Sequence, residues 1–186
     1  PLKALDEGSG SSITGRFSTP QTLAERTHAL FDTAKSDIVV ISPYFIPGEA
    51  GLAQMRQLRG RGVSMTVGTN SLADTDEPLV NIGSQGTQVE LLKMGVELFE
   101  LSARRLKLDR SLRGLLGSSA SRLHAKMAFL DRQTVLVGSM NLDPRSSSIN
   151  TEVGVRVRSA RLAEMTLDAF KVDDLAGAYR VTLRPD

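Results

Sequence analysis

Leu123–Asn141 holds the residues of this chain whose types and spacing could do chemistry. It reads LHAKMAFLDRQTVLVGSMN and contains five polar residues at defined intervals: His124, Lys126, Asp131, Ser139 and Asn141. An imidazole is a nucleophile, an acid or a base near neutral pH. An ammonium together with small hydrogen-bond donors suits an anion such as a phosphate group. These residue types therefore indicate chemistry on a phosphoryl group.

Two short apolar runs must position these side chains. Leu123–Leu130 alternates along its length and Thr134–Val137 is rich in β-branched residues, so the sequence predicts two strands. Residues 131–133 are a plausible tight turn between them. Because residues two apart in a strand share a face, His124 and Lys126 would project together, about 7 Å apart along the strand. The returning strand would bring the hydroxyl and the amide alongside.

The spacing H-x-K-x4-D-x6-G-S-x-N resembles the signature of the phospholipase D superfamily. The likeness extends from Ile38 to Phe170 through the segments SPYFIP, TNSLA, GVELFEL and GSMNLDPRSSSINTEVGV. Together they resemble the C-terminal half of bacterial cardiolipin synthases of the C type. Such enzymes have two α/β halves, each with one motif, facing each other across one active site. The resemblance therefore implies half of a site, completed by a second half in the same chain or by a homodimer mate.

The family chemistry implies a two-step phosphatidyl transfer. One histidine attacks the phosphodiester and forms a phosphohistidine, while the other protonates the leaving alcohol and then deprotonates the acceptor. In two-motif members the first-half histidine is usually the nucleophile, which would make His124 the acid and base. The resemblance implies four catalytic residues: His124, Lys126, Asp131 and Glu152. It also implies three phosphate-binding residues: Lys126, Ser139 and Asn141.

Two of these assignments leave alternatives open. Glu152 matches the acid that follows the motif in the family, which holds the imidazole and stabilises its charged form. Asp131 matches the motif carboxylate, but its place in a turn is sufficient reason for an aspartate there. Neither a metal nor a cofactor is implied, because two widely spaced histidines and no cysteine make a poor zinc site.

Strands and helices alternate before the motif. Strands are predicted at Asp37–Ser42, Val63–Val67 and Val96–Leu101, and helices from residues 18–20 to about Lys35, then at Glu49–Leu58 and Leu79–Met94. After the motif come a strand at Ile149–Val157, a helix capped by Ser159 and a short edge strand at Tyr179–Leu183. The alternation predicts an α/β fold, with a mixed, mostly parallel sheet flanked by helices and the motif on a β-hairpin. The Gly/Ser-rich residues 1–17 read as a flexible linker or tail, and residues 18–186 as one phospholipase D-like half-domain.

Charge is unevenly distributed along the chain. The net charge is only +2, yet residues 102–122 carry six basic residues against one acidic residue. This basic stretch would suit anionic lipid headgroups at a membrane surface, or it is a solvated segment. The resemblance implies an anionic phospholipid substrate and peripheral placement at the cytoplasmic face of a bacterial inner membrane. A homodimeric nuclease is the alternative, which the low aromatic content of 4% does not favour.

One segment departs from the C-type synthases. They resemble one another in a histidine and an aromatic and arginine-rich patch at the position of Asn81–Gln88, where this chain reads NIGSQGTQ. The difference bears on recognition of the acceptor alcohol. A third interpretation is a non-catalytic interaction domain, because an isolated half cannot complete the site unless it pairs with itself.

Overall fold

The computed structural model describes residues 22–71, 78–101, 123–143, 151–170 and 178–184. The helices are α1 (Leu23–Phe31), α2 (Gly48–Gly60), α3 (Pro78–Lys93) and α4 (Ala160–Phe170). The strands are β1 (Asp37–Ile41), β2 (Ser64–Asn70), β3 (Glu97–Leu101), β4 (Met127–Leu130), β5 (Thr134–Gly138), β6 (Gly154–Arg158) and β7 (Ala178–Arg180). The predictions for the tail 1–17, the basic stretch 102–122 and Asn150 lie outside the described residues.

The seven strands form one sheet in the order β6-β5-β4-β1-β2-β3-β7. Only β1–β2 and β2–β3 pair in parallel, whereas β1–β4, β4–β5, β5–β6 and β3–β7 are antiparallel. The α/β class with flanking helices is confirmed, but the prediction of a mostly parallel sheet is wrong. The helical crossovers α2 and α3 join the first three strands, which pair in parallel, and the tight turn after β4 forces antiparallel pairing of the motif hairpin.

The centre of the sheet is β1, which is buried on both faces. Ile38 and Val40 pack with α1, α2 and α3, while Val39 and Ile41 pack with α4 on the opposite face. A strand covered on both sides has no solvent face to mark with polar residues, which explains its continuous apolar sequence.

The predicted helix start at residues 18–20 lies outside the described residues, and the described first helix, from Leu23, ends earlier than predicted. Thr22 is its N-cap: its hydroxyl accepts from the Glu25 N–H at 3.2 Å, and the Glu25 carboxylate accepts from the Thr22 N–H at 2.8 Å. This reciprocal capping box satisfies two of the amides that a helix leaves unpaired at its start. The helix ends at Phe31, short of Lys35.

The hairpin has the predicted strands with shorter bounds. Regular pairing begins at Met127, yet the alternation extends to Leu123, because Leu123 and Phe129 pack on one face of the sheet and Ala128 and Leu130 on the other. The turn has positive φ at its first two positions, 52° and 51°, as in the type I′ turns that match strand twist. The predicted hairpin is therefore present, with a short irregular lead before β4.

Later elements also shift by a few residues. The strand predicted at Ile149–Val157 is β6, which starts at Gly154 in the described chain, and the edge strand is β7. Ser159 caps α4 as predicted, since its hydroxyl accepts from the Leu162 N–H at 3.2 Å. In the described part of the chain, no helix combines the length and apolar character needed to cross a bilayer.

Candidate active site

The motif lies at the end of the sheet where the parallel strands terminate. Ile41, the last residue of β1, pairs with Met127, the first residue of β4, in antiparallel register. The residues just before β4 therefore sit beside the carboxyl end of β1, the usual position for ligands in open α/β sheets. His124 and Lys126 occupy this lead into the strand.

His124 and Lys126 are neighbours in space as predicted. The Lys126 Nζ donates to the backbone oxygen of His124 at 2.9 Å and lies 3.5 Å from its ring Nδ1. His124 is exposed and Lys126 is half-buried. The lysine ammonium and the imidazole therefore lie side by side.

The environment of Lys126 disfavours its charge. Burial lowers the pKa of Lys126 below its ordinary value, and the nearby carboxylates of Glu152 and Asp143 offset that effect only in part. Because the two carboxylates offset the cost of burying the ammonium only in part, a bound anion such as phosphate would stabilise the charged form of Lys126. The two carboxylates also show that the segment after β5 and the segment before β6 meet at this lysine.

Ser139 and Glu152 form the second pair of the site. The Ser139 hydroxyl donates to Glu152 Oε2 in a short hydrogen bond and accepts from the Val153 N–H at 3.0 Å. The preceding Gly138 allows this approach, since a Cβ there would overlap the carbonyl oxygen of Val153. The Gly-Ser step of the motif therefore has a steric basis. Gly138 also donates to the Lys126 carbonyl at 3.1 Å, which ties this pair to the first.

Asn141 lies beyond this pair, at the wall of a cavity. Among the described residues its buried Oδ1 has no hydrogen-bond partner. A buried carbonyl oxygen without a partner costs about 1–3 kcal/mol, which a ligand hydroxyl could recover. The cavity has a volume of about 240 Å³ between α1, α2 and residues 140–143, and its walls are largely apolar, including Phe31, Phe45 and Met55.

The loop after β1 supports the same region. Phe45 makes a parallel bridge with Leu142, and the Ile46 N–H donates to the Leu142 carbonyl at 2.7 Å. Phe45 is buried in the core. The SPYFIP segment therefore braces the residues that come after the motif.

Asp131 is placed apart from the other motif residues, at the opposite end of β4. Its carboxylate accepts from the N–H of Lys35 at 2.9 Å and from the N–H of Ser36 at 2.7 Å, and also from the Ser36 hydroxyl. Burial by itself would raise the pKa of Asp131, but these donors hold it below its ordinary value. Asp131 therefore ties the hairpin turn to the entry of β1, and it does not join the group around His124.

We expect Asp131→Asn to lower the free energy of unfolding by about 1–2 kcal/mol, allowing for solvent screening of this partly exposed group. Since folding depresses the pKa, the stabilisation is present above the unfolded value of about 3.9 and is lost as pH falls through the folded value. Urea unfolding between pH 7 and pH 3 would measure both effects. Asp168→Asn, the same change at an exposed position of α4, should alter stability by under about 0.5 kcal/mol. Equal effects of the two changes would contradict this role.

Asn70 is a site-supporting residue that the sequence reasoning missed. Its side-chain amide exchanges two hydrogen bonds with the backbone of Leu123, next to His124. The two residues are 53 positions apart, so no spacing or periodicity signals the contact. The TNS segment at the end of a predicted strand was the only indication that polar groups gather here.

Together the fold and the polar cluster define an α/β domain of the phospholipase D type. Residues 28–173 match the family described as "Cardiolipin synthase, PLD-like domain". The chain therefore belongs to this family, as the resemblance of its motif predicted.

Curated relatives agree with the family. The chain is 35% identical over 170 residues to cardiolipin synthase C of Escherichia coli K12, covering 91% of this chain and 36% of that protein. It is 32% identical over 122 residues to cardiolipin synthase B of Salmonella typhi, covering 66% of this chain and 25% of that protein. The chain thus spans about a quarter to a third of the length of these relatives.

Solved structures share the fold at low sequence identity. The phospholipase D family member Nuc from Salmonella typhimurium superposes with a TM-score of 0.64 at 18% identity, covering 85% of this chain and 90% of that one. Phosphatidylserine synthase from Haemophilus influenzae has a TM-score of 0.65 at 12% identity, covering 88% of this chain and 38% of that one. These likenesses establish the architecture.

Proposed function

We propose that this chain carries out phosphodiester transfer on phospholipids by a histidine mechanism, as one half of a two-motif active site. The observation that carries the proposal is the meeting of two pairs, His124 with Lys126 and Ser139 with Glu152, at one end of the sheet. They combine a proton-transfer group, a cation, a hydroxyl and a carboxylate. Membership of the cardiolipin synthase family supports phospholipid as the substrate class.

The proposed reaction has two steps. A histidine of the other half attacks phosphorus, the bond from phosphorus to the leaving alcohol breaks, and His124 gives its proton to that oxygen. An acceptor hydroxyl then gives its proton back to His124 while its oxygen attacks phosphorus and releases the first histidine.

The remaining motif residues have supporting roles in this proposal. Lys126 and Asn141 hold phosphate oxygens as negative charge accumulates on them, and the Ser139 hydroxyl, which donates its proton to Glu152, holds that carboxylate in place. Glu152 orients the phosphate-binding side chains and stabilises a histidine imidazolium. Asp131 is a positioning residue that fixes the hairpin from its far end.

The nearby cavity favours a lipid substrate. Its largely apolar walls and its volume of about 240 Å³ suit a non-reacting part of a phospholipid better than a charged nucleic-acid backbone. The curated relatives named cardiolipin synthase support the same substrate class.

A homodimeric nuclease is the second candidate. In this candidate two copies of the chain supply the two histidines, and the fold shared with the Nuc chain is compatible with it. In the first candidate, the second half is provided by another domain of a longer chain, as the partial coverage of the curated relatives suggests.

Solution mass and turnover, measured together, test the half-site. We expect the monomeric chain to show almost no turnover of anionic phospholipid vesicles or of DNA, and activity to appear only with a second motif in a dimer or a longer chain. Light scattering gives the mass, and parallel lipid and DNA assays give the substrate. Full activity in a monomer would contradict the half-site, and cleavage of DNA without lipid turnover would favour the nuclease.

We further propose peripheral association with an anionic membrane, at the cytoplasmic face of a bacterial inner membrane, through the basic stretch 102–122. Reversing the charge of Arg104, Arg105 and Arg110 to glutamate should weaken binding to phosphatidylglycerol vesicles at least tenfold at low salt, at about 1 kcal/mol per basic residue. The difference should shrink as salt screens the surface charges. Sedimentation with vesicles measures the binding. An unchanged affinity would contradict the membrane-binding role and favour the interpretation of this stretch as a solvated segment.

A further inference from the structure

Asn70 bridges a gap in the sheet beside the candidate site. It is the last residue of β2, and β1 lies between β2 and β4 in the strand order. However, β1 ends at Ile41, which pairs with Gly68 of β2, so Asn70 extends past the end of β1. Its side chain crosses the space where β1 has stopped and reaches the motif segment.

The contact copies the pairing of one strand with another. The Asn70 Nδ2 donates to the Leu123 carbonyl at 3.2 Å, and the Leu123 N–H donates to the Asn70 Oδ1 at 3.0 Å. The backbone N–H and the backbone carbonyl of Leu123 are thereby both hydrogen-bonded to a single side chain. A carboxamide has both a donor and an acceptor for this purpose, whereas an aspartate has only acceptors.

The contact matters because it holds the backbone immediately before His124. Residues 123–126 lie outside the regular ladder of β4, so their backbone is held by individual hydrogen bonds. The Leu123 side chain is buried to 1% exposure, whereas the next residue, His124, is exposed and has little packing of its own. The position of the imidazole therefore depends on the backbone that precedes it.

We infer that Asn70 is a positioning residue for His124, fixing the backbone at Leu123 so that the imidazole meets the reacting phosphorus in one geometry. This inference rests on the proposed function for its effect on turnover. The fold itself depends little on the Asn70 side chain, because β2 is paired along its length with β1 and β3 and its apolar residues Met65 and Val67 are fully buried. Loss of the amide should therefore loosen the motif and leave the sheet intact.

Amide exchange and histidine NMR test the contact without any need for activity. In Asn70→Ala the Leu123 amide should exchange at least about tenfold faster, while the Val67 amide in the core of β2 keeps its rate. The chain has two histidines, so the ring signals can be assigned. The His124 signals should shift and broaden, and those of His28, whose ring contacts Gln54, should not.

Turnover in the two-motif protein completes the test. Asn70→Ala should lower kcat about 10- to 100-fold with KM within about twofold, because a misplacement of 1 Å can cost about 100-fold. Asn70→Asp keeps an acceptor for the Leu123 N–H but loses the donor, and should fall between the wild type and Asn70→Ala. Gln57→Ala removes an exposed carboxamide from α2 and should change neither readout.

The outcomes separate this inference from the proposed function. Unchanged Leu123 exchange and unchanged His124 signals in both Asn70 variants would overturn the positioning role, whatever the substrate. If Asn70→Ala also accelerates exchange at Val67, the sheet itself is affected. The positioning role is then decided by Leu123 exchange and the His124 signals in Asn70→Asp. Absence of turnover in the wild type would contradict the proposed function, while the NMR results would still decide the role of Asn70.

Discussion

His124→Ala is expected to reduce turnover in the two-motif protein by about a thousandfold or more. The imidazole is the proton-transfer group of the proposed reaction, and general acid–base catalysis by itself contributes about 100- to 10,000-fold. His124 is exposed, so its loss should leave the free energy of unfolding nearly unchanged. Initial rates on phospholipid vesicles and urea unfolding of the same preparations measure the two quantities.

His28→Ala is the matched control for this change. The other histidine of the chain lies on α1, where its Nδ1 is 2.6 Å from the Gln54 Oε1, away from Lys126. His28 lines the cavity proposed for the lipid, so its replacement can change KM, but kcat should stay within about twofold of the wild type. Retention of activity in His124→Ala would remove this residue from the mechanism, and equal losses in the two variants would point to a general disturbance of the protein.

Lys126→Met is expected to lower kcat/KM by about 100-fold or more, while making the chain no less stable. The ammonium holds phosphate oxygens in the proposed site, and removal of one such preorganised donor typically costs about 100- to 1,000-fold. The methionine retains the flexible apolar stem, so the packing beside Met127 and Ala128 should be preserved. Steady-state kinetics on vesicles give the loss.

The stability of this variant depends on the pKa of Lys126. Burial holds that pKa below its ordinary value of about 10.4, so between the folded and the unfolded values the unfolded chain binds more protons. The free energy of unfolding of the wild type should therefore rise with pH across that window, because the buried ammonium destabilises the folded state at lower pH, where it is charged. Lys126→Met should have an unchanged or higher unfolding temperature at pH 7. Its free energy of unfolding should not show the rise with pH that Lys126 causes in the wild type.

Lys93→Met provides the comparison, because Lys93 is exposed at the end of α3 and supports the helix dipole there. It should not gain stability and should keep full turnover. A Lys126→Met variant that unfolds more easily than the wild type would show that the carboxylates of Glu152 and Asp143 outweigh burial. Unchanged kcat/KM would mean that Lys126 does not hold the phosphate.

The sequence predicts which motif side chains lie together better than it predicts the sheet around them. The motif residues lie within 18 positions of one another, and a hairpin brings such neighbours together by local geometry, so the pairing of His124 with Lys126 could be predicted. The direction of the remaining strands could not. The alternation of strands and helices up to β3 correctly indicates parallel pairing, but nothing local states that β4 inserts beside β1 in the opposite direction.

Two smaller misses have different causes. The capping box of α1 is visible as a threonine followed three residues later by Glu25, but the Pro20 upstream was a stronger helix-start signal. The contact of Asn70 could not be predicted at all, because it is a side-chain bond between distant segments. Local signals thus determine what a short motif can do, and tertiary contacts determine how firmly it is held.

The central place of β1 has a consequence for synthesis of the protein. Its neighbour β2 follows within about thirty residues, but its other neighbour, β4, is complete only at Leu130. A nascent chain that ends before then leaves one side of a largely apolar strand without a pairing partner, and such open edges promote association between chains. Ribosome stalling or proteolysis between β3 and β4 should therefore yield fragments that aggregate, because they lack the hairpin that covers this edge of β1.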